Sequence, residues 1–122
     1  LRQAKRVNGA PFTLVEIPAP DISLHLGTLP ASAIWELLES YDLTAQFEKE
    51  DMIKMVPIMG YANYLVTNGV VLVSQYWTEG LPESERKKDE EMMAILKKYF
   101  PDRDIIGLPA KARNWDGGGI HC

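Results

Sequence analysis

The C-terminal half of the sequence predicts a mixed α/β fold, and three patterns carry this prediction. Strand-like residues 61–66 and 70–77 flank Asn68-Gly69, which favours a tight hairpin because both turn residues need positive φ. An amphipathic pattern over Glu83–Tyr99 predicts a helix, and apolar residues 105–108 predict a further strand. The order strand, strand, helix, strand is a ββαβ unit, in which the helical crossover favours a parallel last strand.

The predicted helix has one apolar stripe and one charged face. The charged run over residues 85–91 is most simply a solvent-exposed face. Residues 110–113, after the last strand, are expected to form a linker. The strand at 70–77 is continuously apolar in its first half, as expected for a strand that is covered on both faces. The stripe consists of Met92, Ile95, Leu96 and Tyr99.

The N-terminal half gives weaker patterns. Residues 12–17 alternate and predict a short strand, while residues 21–27 predict either another strand or an extended loop. His25 is expected to be an ordinary polar position rather than a ligand, because no metal-binding pattern surrounds it. Helical spacing of apolar residues predicts a helix over residues 30–41, and the charged, weakly periodic residues 42–54 predict a solvated helix or loop.

Composition and charge exclude several classes of function. The 122 residues suit one domain, and the net charge of −4 argues against nucleic acid or an anionic membrane as the main partner, since both need clustered Lys and Arg. No apolar run approaches the roughly 20 residues that span a bilayer. A single cysteine allows no internal disulfide, which fits a reducing, cytoplasmic setting. The absence of a first methionine and the end at Cys122 suggest a piece of a longer chain.

The last nine residues combine three consecutive glycines with the only cysteine. Glycines let the backbone bend sharply and approach a ligand closely. Cys122 is therefore a candidate nucleophile, because attack needs a thiolate at a defined distance from an electrophilic carbon. The alternative is a flexible tail with an ordinary thiol, and spacing alone leaves both open. His121 is badly placed to deprotonate its neighbour, since adjacent residues of an extended chain point to opposite faces.

Five motifs follow one another in a recognisable order. They are Tyr61-Ala62-Asn63-Tyr64, Asn68-Gly69, Gln75, Phe100-Pro101-Asp102-Arg103 and Gly117-Gly118-Gly119-Ile120-His121-Cys122. In order and spacing they resemble the C-terminal part of the agmatine deiminase family, whose relatives include the bacterial peptidyl-arginine deiminases. That family has the pentein fold, an α/β propeller of ββαβ modules around a pseudo-fivefold axis. The resemblance implies that residues 1–122 are the C-terminal part of one such domain, with residues 59–122 as one module plus the nucleophile loop and residues 1–58 as part of the preceding module.

The resemblance also implies guanidine chemistry, the hydrolysis of agmatine to N-carbamoylputrescine and ammonia without a metal or organic cofactor. Cys122 matches the family's nucleophile, whose thiolate attacks the guanidinium carbon. Gly118, Gly119 and Asp116 are the expected substrate contacts, although Asp116 is more simply a turn residue. The implied partner is a small cationic guanidine, with no nucleic acid or membrane, and the protein is a possible homo-oligomer.

One departure from the family bears on activity. The family's general-base histidine lies in a His-x-Asp motif, and none occurs in this sequence, where His25 precedes Leu26-Gly27. We therefore expect this chain alone to be inactive. Two alternatives stay open, a peptidyl-arginine deiminase or amidinotransferase of the same superfamily, and a small non-catalytic α/β interaction module.

Overall fold

The computed structural model describes residues 4–115 and 118–121 of the chain. They form a mixed α+β structure with two small sheets, and 3-10 turns lie at Ile22–His25, Ala31–Ile34 and Thr44–Gln46. Among the described helices, none has the length and apolar character that crossing a bilayer requires. The strands and α-helices, in chain order, are β1 (Gly27–Pro30), α1 (Trp35–Ser40), β2 (Met52–Met55), β3 (Leu65–Val66), β4 (Val70–Gln75), α2 (Glu83–Tyr99), β5 (Asp104–Pro109) and α3 (Lys111–Trp115).

The larger sheet confirms the predicted hairpin and the parallel last strand. Its strand order is β3-β4-β5, with β4 antiparallel to β3 and parallel to β5. Leu65 pairs with Leu72, and the Thr67 amide donates to the Val70 carbonyl at 2.9 Å to close the turn. Within this described turn only Gly69 has a positive φ, 81°, so the turn uses one left-handed residue and not two.

Helix α2 has the predicted bounds and packs on this sheet. The central strand β4 has no exposed residue, as its apolar sequence predicts. On α2, Met92 and Leu96 are buried as predicted, whereas Tyr99 is 48% exposed at the last residue of the helix. The buried core around them consists of Tyr61, Val71, Val73, Tyr76, Met92, Leu96 and Ala110.

The charged run on α2 is not wholly exposed, and the prediction was wrong for two of its residues. Glu85 and Asp89 retain only 1% and 4% of their accessible surface. Both lie on the face that carries Met92, because residues three, four and seven positions apart share one side of a helix. The apolar stripe therefore continues toward the start of α2 as a pair of buried acids.

The Asp89 carboxylate ties α2 to the end of β4. It accepts a hydrogen bond from the Tyr61 hydroxyl at 2.6 Å, from the Tyr76 amide at 3.1 Å and from the Trp77 amide at 2.9 Å. Both amides come directly after β4, where the strand ladder has ended. The carboxylate thus supplies acceptors to backbone donors that would otherwise be buried without partners.

The N-terminal half departs most from prediction. Residues 12–17 are not a strand: no strand pairs with them in the described part of the chain, and Phe12 and Leu14 are 52% and 54% exposed. Strand β2 overlaps the end of the segment 42–54 that was predicted to be a solvated helix or loop, and it pairs antiparallel with β1. Pairing across more than twenty residues, Gly27 with Met55, stabilises a strand that its local sequence does not predict.

Three shorter segments also differ from prediction. Residues 21–27 contain a 3-10 turn, capped by Asp21, which accepts the Ser23 amide at 3.0 Å. The helix predicted over residues 30–41 begins as a 3-10 turn and becomes α-helical only at α1. The linker predicted over residues 110–113 belongs mainly to α3 instead.

Replacing Asp89 by Asn should lower the free energy of unfolding by about 2–3 kcal/mol. The Asn side chain would present an N–H₂ group to at least one buried donor that now has a carboxylate acceptor. Urea denaturation measures the difference. Glu90→Gln is the matched control, because the Glu90 side chain is 62% exposed and its change should stay below about 0.5 kcal/mol. Equal effects of the two substitutions would contradict the role given to Asp89.

Candidate functional site

The residues at 118–121, here called the glycine segment, begin three positions after Trp115, the last residue of α3. The Gly118 amide donates to the Arg113 carbonyl at 3.1 Å, which joins the segment to the helix. Helix α3 in turn begins two residues after the end of β5, and the Ala110 amide donates to the Gln75 carbonyl of β4 at 3.4 Å. The carboxyl end of the parallel strand pair therefore sets where the glycine segment starts.

The Asn114 side chain holds the first carbonyl of the glycine segment. Its Nδ2 donates to the Gly118 carbonyl at 3.1 Å and to the Ile58 carbonyl at 2.6 Å. The side chain is 5% exposed, and its Oδ1 has no partner within the described part of the chain. One amide group thus joins α3, the glycine segment and the chain that leads into residues 60–64.

The Asn63 side chain holds the other end of the segment. Its Oδ1 accepts a hydrogen bond from the His121 amide at 3.0 Å. Gly119 packs against the same side chain: a Cβ at this position would collide with Asn63 Nδ2 and lie 2.7 Å from Asn63 Cγ. Gly119 is also buried and does not have a left-handed φ. The absent side chain at position 119 therefore leaves room for Asn63.

The turn that carries Asn63 is fixed from the core. The Tyr76 hydroxyl accepts the Gly60 amide at 2.9 Å and lies 3.2 Å from the Gly60 carbonyl, to which it donates. The neighbouring Tyr61 donates its hydroxyl to Asp89, and its burial, followed by that hydrogen bond, raises the pKa of Tyr61. These bonds hold residues 61–64 as a turn against α2. The strand predicted over residues 61–66 consequently forms only at β3.

The sequence-predicted site residues are only partly within the described chain. Cys122 and Asp116 lie outside the described residues. Gly118 is partly buried and Gly119 is buried, and their contact with a substrate stays a prediction. His121 is exposed, and its backbone amide, rather than its ring, makes the contact with Asn63.

Sequence reasoning did not assign a role to Asn63 or Asn114. Asn63 stands in one of the five motifs and Asn114 begins the C-terminal stretch, so both were visible as residues. Their shared contact with the glycine segment was not visible, because Asn63 is 58 positions from His121 in the chain. The signal available in the sequence was the asparagine side chain itself, because its amide often bonds to backbone groups in tight turns.

A cavity of about 170 Å³ lies beside both asparagines. A larger groove of about 580 Å³ lies between residues 6–17 and helix α2, and it shares only Ala62 with the smaller cavity. Because size alone does not locate a catalytic site, we consider the cavities that adjoin the glycine segment: this smaller one, and another of about 160 Å³ that Ile120 of the segment lines. The lining of the cavity beside the asparagines consists of Ile58, Met59, Gly60, Ala62, Asn63 and Asn114.

A second polar cluster surrounds His25, which the sequence analysis treated as an ordinary polar position. The ring is fully buried, and its Nε2 lies 3.9 Å from Oε2 of Glu85. Glu85 also accepts the Asp21 amide at 3.0 Å and pairs with Lys88 at 2.6 Å. Burial lowers the pKa of His25, Lys111 lowers it further, and Glu85 opposes the shift. In the described residues no group of three or more His, Cys, Asp and Glu side chains could hold a metal ion.

The sequence model of the Porphyromonas-type peptidyl-arginine deiminase family matches residues 1–122. The chain belongs to this family. It is 28% identical over 123 residues to agmatine deiminase of Pseudomonas putida strain F1, a match that covers 100% of this chain and 28% of the relative. A proposed agmatine deiminase of Latilactobacillus sakei is 37% identical over 62 residues, covering 51% of this chain and 15% of the relative. The chain thus spans little more than a quarter of the curated relatives that it matches in full.

Two solved structures share the fold of this family member. A proposed arginine deiminase from Porphyromonas gingivalis superposes with a TM-score of 0.62 at 24% identity, covering 100% of this chain and 26% of that one. A proposed agmatine deiminase superposes with a TM-score of 0.64 at 21% identity, covering 99% of this chain and 28% of that one. The family is one of guanidine-modifying deiminases, and the mixed α+β structure described here is a part of their fold.

As the pH falls, the free energy of unfolding should decrease more steeply for the protein than for a His25→Phe variant. The pKa of His25 lies below its ordinary value of 6.5, so the unfolded chain takes up this proton at a higher pH than the folded chain. The resulting stability is complete above about pH 6.5 and is lost as the pH falls below it. Urea denaturation at intervals from about pH 7 to 5 measures the slope. His121→Gln is the control, because His121 is exposed; an equal slope in His25→Phe would contradict the assignment.

Proposed function

We propose that this chain is the nucleophile-bearing segment of a deiminase that hydrolyses agmatine to N-carbamoylputrescine and ammonia. Family membership and the agmatine deiminases that align over the whole chain support this proposal. The single observation that carries it is local. Two asparagine side chains hold the glycine segment at both ends, immediately before the only cysteine of the sequence. Such a segment is fixed in place rather than being a loose tail.

In the proposed reaction the Cys122 thiolate attacks the central carbon of the guanidinium group. An S–C bond forms, one C–N bond breaks, and the departing nitrogen leaves as ammonia after taking up a proton. Water then hydrolyses the S-linked amidino intermediate, which restores the thiolate and yields the carbamoyl product. Gly118, Gly119 and Asp116 are the proposed substrate contacts on this chain. No metal or organic cofactor takes part in this scheme.

The acid–base histidine and the carboxylates that would hold the cation are proposed to come from outside these residues. No His-x-Asp motif occurs in the sequence, and His25 is fully buried, with its Nε2 3.9 Å from Glu85. The relatives are more than three times as long as the stretch that matches this chain. We therefore propose that the 122 residues alone are inactive and that turnover requires a protein of the relatives' length.

The proposed architecture is one part of a pentein-type propeller. Residues 59–122 would form one ββαβ module with the nucleophile loop, and residues 1–58 part of the module before it. The parallel β4-β5 pair joined by α2 supports the first assignment. Exposed apolar side chains in residues 12–17 support the second, because they suit a segment that packs on a further module. The proposed location of the protein is the cytoplasm.

A second candidate is a peptidyl-arginine deiminase, favoured by the description of the matching family. The two candidates share the nucleophile and differ in what the active-site mouth admits. Ammonia release from agmatine and from a peptide with an internal arginine separates them. Turnover of the peptide alone would replace the first candidate by the second.

The Cys122 thiol should react with chloroacetamidine at least about 100-fold faster than with chloroacetamide in a protein of the relatives' length, and agmatine should slow only the first reaction. The amidine carries the planar cation that the site is proposed to hold. Mass spectrometry of the labelled peptide measures both rates.

Cys122→Ala should abolish ammonia release, and Ser74→Ala, which leaves the thiol in place, is the control variant. Equal slow labelling by the two reagents, without protection, would support a non-catalytic interaction module instead.

A further inference from the structure

We propose that Asn63 and Asn114 are positioning residues, which fix the backbone of the glycine segment so that Cys122 is presented in one direction. The inference rests on the proposed function for the identity of the reacting group. Neither asparagine is proposed to touch the substrate or to move a proton. Their role is to limit the freedom of the residues from which the thiol extends.

The two side chains act at opposite ends of the segment. Asn114 donates to the Gly118 carbonyl at 3.1 Å, and Asn63 accepts from the His121 amide at 3.0 Å. The backbone groups between these two bonds belong to three consecutive peptide units. Fixing both ends of so short a stretch restricts the peptide between Ile120 and His121, one unit before the bond to Cys122.

The two asparagines are also fixed relative to each other. Asn114 Nδ2 donates to the Ile58 carbonyl at 2.6 Å, and Ile58 lies five residues before Asn63. The turn between them is held by the Tyr76 hydroxyl, which bonds to both backbone groups of Gly60. The same bonded turn therefore holds both asparagines, so the position of the glycine segment is fixed relative to the core as well as to α3.

The packing of Gly119 distinguishes this arrangement from a flexible hinge. Its φ lies outside the left-handed region, so an alanine would be acceptable to the backbone alone. The space that a Cβ needs is occupied by the Asn63 amide. Glycine at 119 therefore permits the close approach of Asn63, and a larger residue would have to displace the Asn63 amide.

Such positioning matters for a thiol that must attack a weak electrophile. A displacement of about 1 Å from the productive geometry can cost a reaction about 100-fold in rate. A guanidinium carbon is a poor electrophile because its charge is delocalised over three nitrogens. The reaction therefore depends on the direction of the sulfur more strongly than alkylation by a small neutral reagent does.

The first test measures hydrogen exchange of the His121 amide in the 122-residue chain and in Asn63→Ala. We expect exchange to accelerate by roughly tenfold, the loss of one hydrogen bond, while the β4 amides keep their protection. Asn63→Asp should retain part of the protection, because its carboxylate still accepts. Asn8→Ala is the matched control, since Asn8 Oδ1 also accepts a backbone amide, that of Ala10 at 3.1 Å, in an exposed turn.

The second test uses the predicted collision at position 119. Gly119→Ala should accelerate exchange of the His121 amide in the same way, and adding Asn63→Ala should cause little further change, because the two substitutions remove one contact. This variant also decides the question if Asn63→Ala does not fold. Additive effects of the two substitutions would overturn the contact as the reason for glycine at 119.

The third test follows the thiol in a protein of the relatives' length. Asn63→Ala and Asn114→Ala should each lower kcat by about 100-fold with little change in KM, and slow labelling by chloroacetamidine but not by chloroacetamide. A purely structural role would lower the unfolding midpoint and alter both labelling rates together.

The outcomes separate this inference from the proposed function. If the wild-type thiol does not react preferentially with chloroacetamidine while Asn63 still protects the His121 amide from exchange, the deiminase assignment is wrong. The backbone contact between Asn63 and His121 would still stand. A reactive, agmatine-protected thiol with unchanged His121 exchange in Asn63→Ala and Gly119→Ala overturns the positioning role. A loss of protection shared by the β4 amides overturns it as well.

Discussion

One buried carboxylate, that of Asp89, holds together the parts of the molecule on which the candidate site depends. It accepts the Tyr61 hydroxyl and two backbone amides that follow β4. Burying a charged carboxylate is unfavourable unless hydrogen bonds replace its hydration, and these three donors do so. Burial and the hydrogen bond to Asp89 raise the pKa of Tyr61, as expected for a hydroxyl that donates to a buried carboxylate.

The influence of Asp89 reaches the glycine segment through a short series of contacts. Asp89 fixes Tyr61, Tyr61 belongs to the turn that carries Asn63, and Asn63 binds the backbone of His121. Each step is a hydrogen bond or a single turn of backbone. A helix on one side of the sheet thus determines where the residue before the cysteine lies. The chemistry is proposed for Cys122, and the positioning proposed for it depends on residues that carry no chemistry themselves.

The sequence predicted those elements whose signals are local. The hairpin at Gly69, the bounds of α2 and the parallel strand β5 all follow from periodicity and turn residues within a short window. The prediction failed where the stabilising partner is distant: β2 forms because it pairs with β1, and residues 12–17 are not a strand because no strand pairs with them in the described chain. The burial of Glu85 and Asp89 was not predicted, because they stand in a charged run. Their spacing to Met92 nevertheless places them on the buried stripe of α2.

The candidate site was predicted in part for the same reason. The glycines and Cys122 stand out as a local motif, and the resemblance to deiminases rests on such motifs, which the family match now supports. Asn63 bonds to His121 across 58 positions, and Asn114 bonds to Gly118 across 4 positions and to Ile58 across 56, so the long-range contacts of both have no local pattern. The burial of His25 was not predicted for a related reason, since the carboxylate beside its ring belongs to Glu85, 60 residues away.

The long separation between Asn63 and His121 has a consequence for the order in which the chain acquires its structure. Contacts between distant residues close large loops and form after local helices and hairpins. The glycine segment can adopt its final position only after α2 has packed on the sheet and β5 has paired with β4. Under the proposed function, a newly made chain would carry a commonplace sulfhydryl until the surrounding architecture is complete, and the onset of its selective reactivity would mark the end of folding.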